Sequence, residues 1–418
     1  MEGVIKPCVA SEIGELESVI IHTPGTEVEN MTPGNAERAL YSDILNLPVA
    51  RKEYSVLNQV LRKYTRVFEV KDILAEALEV QEAKESLITT ICNAGNDCEL
   101  QEALLEKDPH DLAGLLIEGV VMKKNTLTKF LSRERYSLPP LHNFFFVRDA
   151  ATAMPDSVFI GKMANRIRER EALIMDTIFN YNKRFGSKIS RIPNGNTAAT
   201  IEGGDVLVVR DDILLIGNGT RTSSQGIDFL LDIIRKQNNG KRHIIVQELP
   251  GSPESFIHLD MVFTMLDKDC CMVYEPVIYR TSKYQTVSIT IENSRVSSIK
   301  EERNIPEALG KLGIDLKPLF CGGRTDPWIQ EREQWHSGAN FFALAPGKVI
   351  GYGRNNYTID EMNRNGFEVI RAADIVSGKE DLHNHDRVVV TIEGSELPRG
   401  GGGARCMTMP VGRKDAGW

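Results

Sequence analysis

Residues 213–234 read ILLIGNGTRTSSQGIDFLLDII, and residues 243–251 resume with HIIVQELPG. ILLIG is a continuous apolar run closed by glycine, which fits a short buried strand. NGTRTSS is a cluster of turn formers carrying one arginine, and it ends the run. QGIDFLLDII has the apolar spacing of a helix that buries one face. HIIV opens a second strand. Strand, Arg/Asn-bearing loop, helix and strand in that order make the unit of an α/β fold.

The same order recurs in SVFIGKMANRIREREALIMDTIF (157–179) and KVIGYGRNNYTIDEMNRNGFEVI (348–370), and SVIIHTPG (18–25) could open a further copy. Imperfect repeats roughly 50–60 residues apart point to a radial or stacked array of α/β modules. Arg168, Arg221 and Arg354 each fall just after such a strand, so the array is expected to place them around a common axis.

From Ser18 to Val70 the reading is also mixed: SVIIH as a strand, KEYSVLNQVLRKYT as an amphipathic helix, RVFEV as a second strand. The period then changes. Leu87, Ile88, Ile91 and Cys92 share a helical face, as do Leu112, Leu115 and Leu116. Asp108-Pro109 is a good N-cap and first-turn pair for the second of these helices. Residues 71–132 therefore read as a small helical domain inserted in an α/β domain made of residues 1–70 and 133–418.

The chain has 418 residues and a net charge of −8, so nucleic acid and anionic membranes are disfavoured as partners. The N-terminus lacks a signal-like apolar segment, and no stretch approaches a membrane span of about 20 residues. Seven cysteines, an odd and sparse set, do not form a disulfide framework. The expectation is a reduced, cytoplasmic protein.

RGGGGARCMTMP (399–410) carries the chemistry. Four glycines lack the GK[ST] of a phosphate-binding loop and the order of a dinucleotide fold. A flexible tail is the bland reading, but the chain resumes with apolar CMTMPV. Glycines beside Cys406 make sense where a substrate approaches the backbone and a thiol projects into a cavity. A nucleophilic thiol needs a proton-transfer partner. Among eight histidines, His383 and His385 fit a solvated loop better than a zinc site, and His243 begins a strand. His258 in FIHLDMVFTM is flanked by apolar residues and followed two positions on by Asp260. In a strand both would point to one face, with a hydrogen-bonded core pair as the alternative. Asp149 in FFFVRDA, and Glu202 and Asp205 in TIEGGDVLVV, are further acids in apolar surroundings, where an unpaired carboxylate is expensive. Several acids converging on a thiol call for a cationic substrate. A planar cation gripped by carboxylates in bidentate fashion is a guanidinium.

LHNFFFVRDA, IEGGDVLVV, FIHLDMVFTMLD, EREQWHSGAN with APGKVIGYGRN, SELPRGGGGARCMTMP and the N-terminal SEIGELESVIIHTPGTEVENMTP together resemble the ordered motifs of arginine deiminases. The resemblance spans essentially the whole chain. It implies an α/β fold of the pentein type, a five-fold pseudo-symmetric propeller with an inserted helical bundle. It implies Cys406 as nucleophile on the guanidinium carbon and His258 as acid, then base. Glu202 corresponds to the partner of that histidine, and Asp149 and Asp260 to the carboxylates that hold the guanidinium. Arg168 and Arg221 fall where the family faces the substrate α-carboxylate, and Asn143, Phe146 and Gly400 match substrate-lining positions. The implied reaction is hydrolysis of L-arginine to L-citrulline and ammonia through a covalent amidino-thioether, without metal or organic cofactor, in a homo-oligomer (dimer or tetramer).

Three positions depart from the family pattern. Gly401 stands where relatives often carry an arginine, Thr23 replaces the arginine of an HRPG motif, and LHN replaces MPN. Rival readings are amidinotransfer, deimination of agmatine or methylarginine, and a non-catalytic arginine-binding homologue. Cys321 in FCGG is a decoy thiol, and Cys270 and Cys271 read as buried packing residues.

Overall fold

In the computed structural model, which describes residues 3–32, 43–93, 98–193, 198–237, 240–280 and 283–418, the quoted repeat is strand Ile213–Asn218, helix Ser224–Gln237 and strand Arg242–Glu248. The two strands pair in parallel, because the intervening helix returns the chain to its starting end. Ile213–Asn218 also pairs antiparallel with Val206–Arg210. An antiparallel hairpin extended by one parallel strand is thus the local unit.

That unit occurs in five sheets. Ala151–Ala153, Val158–Ile160 and Ile189–Arg191 form one, the parallel pair joined through helix Glu169–Tyr181. Phe263–Met265, Cys270–Val273 and Lys317–Phe320 form another. Phe342–Ala345 and Lys348–Tyr352 are extended by Val388–Ile392 and then Glu368–Arg371. The fifth is made from the two ends of the chain: Met409–Arg413 runs antiparallel to Leu16–Ile21, which runs parallel to Arg66–Glu69. The sheet of the opening repeat is lengthened by the hairpin Thr286–Glu292 and Arg295–Glu302.

Among the described residues, helices Val70–Leu78, Gln81–Asn93, Cys98–Leu105, Pro109–Glu118 and Leu127–Leu131, with the two-residue strand Val120–Val121, occupy the segment read as helical. Asp108 caps Pro109–Glu118, its carboxylate accepting from the His110 and Asp111 backbone N–H groups and satisfying donors the helix leaves unpaired. Leu74, Ile88, Leu112 and Leu116 lie in the same buried cluster as Ile174, Met175 and Ile178 of helix Glu169–Tyr181. One continuous apolar core therefore joins the first four of these helices to the neighbouring sheet. A separate cluster surrounds Cys406 and includes Val19, Ile21, Tyr54, Phe145, Phe146, Ile350 and Tyr352. All seven cysteines are free. No helix among the described residues is long and apolar enough to cross a membrane.

Candidate active site

Cys406 is buried three residues before strand Met409–Arg413. Its loop is held at both ends. Upstream, the buried Glu53 carboxylate accepts from the backbone N–H groups of Ser395, Glu396 and Leu397. Tyr352 donates its hydroxyl to the Gly402 carbonyl at 3.0 Å. The glycines have distinct reasons to be there. A Cβ at Gly402 would lie 2.5 Å from Phe146 Cε1, and one at Gly403 the same distance from Asn340 Oδ1. Gly400 packs against the rings of Phe145 and Phe146. Gly401 has φ +86° with open space around it, so there it is the left-handed backbone that favours glycine.

A pocket of about 330 Å³ opens onto the thiol, lined by Asn143, Phe146, Asp149, Arg168, Arg221, His258, Gly400 and Cys406 together with Ile257, Gly401 and Gly402. The remaining two expected residues adjoin it. Glu202 lies behind His258, its Oε2 at 2.9 Å from Nε2. Asp260 flanks the sulfur, with Oδ2 at 3.6 Å and Oδ1 at 3.9 Å from Sγ. Arg354, expected on the same axis as Arg168 and Arg221, is directed elsewhere: it donates to the Gly394 carbonyl and to His336 Nε2.

The route by which His258 and Asp260 come together differs from the alternation of a strand. His258 is an extended residue ahead of a 3-10 turn, Leu259–Met261, and the strand begins only at Phe263. The turn forms because Asp205 Oδ1 accepts from the Leu259 N–H at 2.8 Å, offering the backbone a partner that competes with a ladder. The two glycines of TIEGGD complete the approach. A Cβ at Gly204 would stand 2.6 Å from the His258 ring and 2.9 Å from Asp149 Oδ1.

Asp149 and Asp260 are arranged alike. Asp149 Oδ2 accepts from Arg168 Nη1 at 2.7 Å, leaving Oδ1 without a hydrogen-bond partner among the described residues. Asp260 Oδ2 accepts from Arg405 Nη1 at 2.8 Å and is also the oxygen nearer the sulfur, at 3.6 Å, while Oδ1 at 3.9 Å is the one not bound by the arginine. Each carboxylate is thus fixed by one buried arginine and keeps one oxygen available. Arg168 lines the pocket as expected and is also bound by acids. Its Nε and Nη2 are bonded to Glu171 and its Nη1 to Asp149, with the Asn143 and Phe146 carbonyls adding to its shell. Four of its five N–H groups are engaged, and the second N–H of Nη1, with Glu202 at 3.8 Å, is the one left over. Arg221 lines the same pocket, and among the described residues its carboxylate neighbour is Glu202 at 4.0 Å.

The charges follow from this packing. Burial lowers the His258 pKa, but Asp149, the Glu202 hydrogen bond and Asp205 outweigh it and hold the imidazole at about 9, so it is a cation at neutral pH. Burial pushes Glu202 up, and the His258 hydrogen bond and charge, then Arg221 and Arg168, bring it down to about 2. Burial, then Asp260 and Asp149, raise the Cys406 thiol well above its ordinary value. In the unliganded protein the sulfur is a neutral thiol beside an imidazolium. Asp149, Glu202 and His258 are close enough together to ligate an ion. Arg168 Nη1, 2.7 Å from Asp149 and 3.8 Å from Glu202, already supplies the positive charge there.

Three residues of this site escape sequence reasoning. Arg405 is 1 % exposed and also bonds both oxygens of buried Glu12 through Nε and Nη2. Asn340 donates from Nδ2 to Cys406 Sγ at 3.2 Å. Arg405 was detectable as a charge inside the apolar run ARCMTMPV. Glu12 and Asn340 carry no local signal, since their partners lie 393 and 66 residues away.

A family model described as Arginine deiminase matches residues 37–413. The chain belongs to the arginine deiminase family. It is 32 % identical to an arginine deiminase of Streptococcus agalactiae over 427 residues, covering 97 % of this chain and 98 % of the relative. An arginine deiminase of Bacillus cereus is 33 % identical over 435 residues, with the same two coverages. Among solved structures, an amidinotransferase of saxitoxin biosynthesis from Microseira wollei aligns with a TM-score of 0.56 at 14 % identity, over 98 % of this chain and 97 % of that one. DDAH from Pseudomonas aeruginosa complexed with citrulline aligns with a TM-score of 0.51 at 14 % identity, over 95 % and 99 % of the two chains. This arginine deiminase family member therefore has the α/β pentein fold of those structures.

Proposed function

We propose that the protein hydrolyses L-arginine to L-citrulline and ammonia through a covalent amidino-thioether on Cys406. The observation that carries this reading is the pair of aspartates, each pinned by a buried arginine, Asp149 on the wall of the pocket and Asp260 beside the thiol that opens into it. A guanidinium held between Asp149 and Asp260 is planar, cationic and fixed with its carbon facing Sγ.

Binding that cation offsets the negative charge that keeps the thiol protonated, so the substrate itself promotes loss of the thiol proton to solvent. The thiolate attacks the guanidinium carbon and gives a neutral tetrahedral adduct. His258, held as a cation by Glu202 and Asp149, donates its proton to the departing amino group, which leaves as ammonia. The amidino-thioether that remains is cationic and stays between the aspartates. Neutral His258 then takes a proton from water as it adds to the same carbon. Collapse of this second adduct forms the carbonyl of citrulline and expels the Cys406 thiolate, which takes up the hydroxyl proton. Apart from the first thiol proton, which goes to solvent, the protons are carried by His258 and Cys406, with no metal or organic cofactor. Arg221 is the cation that faces the substrate α-carboxylate, Arg168 orients Asp149, and Asn143, Phe146 and Gly400 line the bound chain. Gly401 leaves carboxylate recognition without the arginine common in relatives.

The five similar sheets support a five-module propeller, residues 1–70 and 133–418, with residues 71–132 as the helical insert. The chain works as a cytoplasmic homo-oligomer, dimer or tetramer. The test is citrulline and ammonia release from L-arginine in metal-chelated buffer, with agmatine, methylarginine and an amine acceptor in parallel. Cys406→Ser is expected to abolish turnover, and a rapidly quenched wild-type reaction to show an amidino adduct on the Cys406 peptide. Arginine binding without turnover would overturn the assignment.

A further inference from the structure

Asn340 is fully buried at the point where the nucleophile loop meets the His258–Met261 turn. Its two ends are distinguishable by their partners. Oδ1 accepts from the backbone N–H groups of Arg405 at 2.8 Å and Cys406 at 3.4 Å. Those are obligate donors, so the oxygen must face them and the amide cannot be flipped. Nδ2 accordingly faces the Asp260 carbonyl at 3.0 Å and Cys406 Sγ at 3.2 Å. Met261 Sδ lies farther off, at 3.7 Å.

We propose that Asn340 is a catalytic residue that stabilises the Cys406 thiolate through its Nδ2–H···Sγ hydrogen bond. This rests on the reading of Cys406 as nucleophile. The sulfur's other side-chain neighbours, Asp260 Oδ1 and Oδ2 and Met261 Sδ, offer no donor, and the Gly403 backbone N–H is the further donor that faces it. An acidic pocket suits a guanidinium but opposes a thiolate, and Asn340 supplies a fixed N–H that favours the anion without adding a charge that would repel the substrate. A hydrogen bond to an ionised acceptor is roughly twice as strong as one to a neutral acceptor, so the bond strengthens when the thiol ionises. It weakens when the sulfur becomes a thioether and is regained when citrulline formation expels the thiolate. The same amide ties Cys406 to the turn that carries Asp260, and its oxygen occupies the space beside Gly403 that a Cβ would need.

The test reads the thiol itself rather than turnover. The rate of Cys406 labelling by iodoacetamide is followed against pH by mass spectrometry of its peptide, in wild type, Asn340→Leu and Asn340→Ser, all without substrate. Both variants are neutral, so neither adds an electrostatic shift of its own. The expected result is a titration midpoint at least one pH unit higher in both, seen as about tenfold slower labelling at a fixed pH below the midpoints, with the same plateau rate. A merely structural role would change the plateau through accessibility and leave the midpoint in place, and an unchanged midpoint in a folded variant would overturn the proposal. If Asn340→Leu does not fold, Asn340→Ser decides by the same criterion. Should wild type show no arginine turnover while the midpoint still moves, the proposed function fails and with it the catalytic role, while the hydrogen bond's effect on the thiolate stands.

Discussion

At the scale of single residues, the site works by pairing every buried charge, and its proton inventory can be checked directly. His258 has a folded pKa of about 9, above the ordinary 6.5 of imidazole. Folding therefore favours its protonated form; that contribution to stability is complete below about pH 6.5 and is lost as pH rises through about 9. In Glu202→Gln the His258 resonance, followed by NMR, is expected to titrate at least one unit lower than in wild type. Loss of a charged hydrogen-bond partner leaves burial less opposed. The two pocket arginines should separate kinetically. Arg221→Lys is expected to raise KM about tenfold with little change in kcat, as for a lost ground-state contact. Arg168→Lys cannot reproduce a fork that binds Asp149 and Glu171 together, so it should lower kcat about 100-fold, equivalent to ~3 kcal/mol of transition-state stabilisation. Steady-state kinetics on both variants decides. Cys406, His258, Glu202 and Asp149 were legible because each sits in a short motif whose composition is odd for its surroundings. Arg168 was legible as a site residue but not in its orientation, since its bonds to Glu171 and Asp149 are a property of the folded cavity. Nothing local betrays Glu12.

At the scale of elements, the nucleophile and its partners sit on turns at strand ends rather than on the strands themselves. Cys406 follows a glycine loop, His258 precedes a 3-10 turn that contains Asp260, and Glu202 precedes another at Gly203–Asp205. The strands and helices of the repeat could be read from period and turn chemistry. The turns could not, because what closes them is a side chain elsewhere: Asp205 for the first, Glu53 for the nucleophile loop. The glycine run illustrates the difference. Read as sequence it lets a substrate approach the backbone; in the fold, Gly402 and Gly403 are also there for close contact with Phe146 and Asn340. Gly402→Ala and Gly403→Ala should each cost ~1–3 kcal/mol, the usual penalty of overpacking, and lower both melting temperature and turnover. Gly401→Ala meets no neighbour and bears only the strain of its backbone, of order 1–2 kcal/mol. Thermal melts of the three variants should rank Gly401→Ala as the mildest.

Across the whole molecule, three of the five sheets were visible as repeats, and SVIIHTPG was noted as a possible opening of another. The sheet Phe263–Met265, Cys270–Val273 and Lys317–Phe320 was not, because its connection carries the hairpin 286–302 of a neighbouring sheet. The helical segment was legible in period, but its shared core with helix Glu169–Tyr181 was not, since an apolar helix face does not name its partner. That shared core has a thermodynamic consequence. Leu112→Ala, at a fully buried position, is expected to cost ~2–5 kcal/mol and to lower the midpoint of the transition that includes the sheet residues. Calorimetry of the variant should show these helices and that sheet melting together; an early separate transition would show that the segment is held independently.

The strand that follows Cys406 finds its partner near the other end of the chain, at Leu16–Ile21. For a protein emerging vectorially from the ribosome, this fixes an order of events. The Leu16–Ile21 and Arg66–Glu69 strands are available early, as are most of the acids that would bind a cation, but the thiol cannot be seated until Met409–Arg413 has been translated. A nascent chain therefore carries an incomplete acidic cleft without its nucleophile for almost the whole of synthesis. Any message truncated before that strand yields a product without the reactive centre, rather than a partly active one.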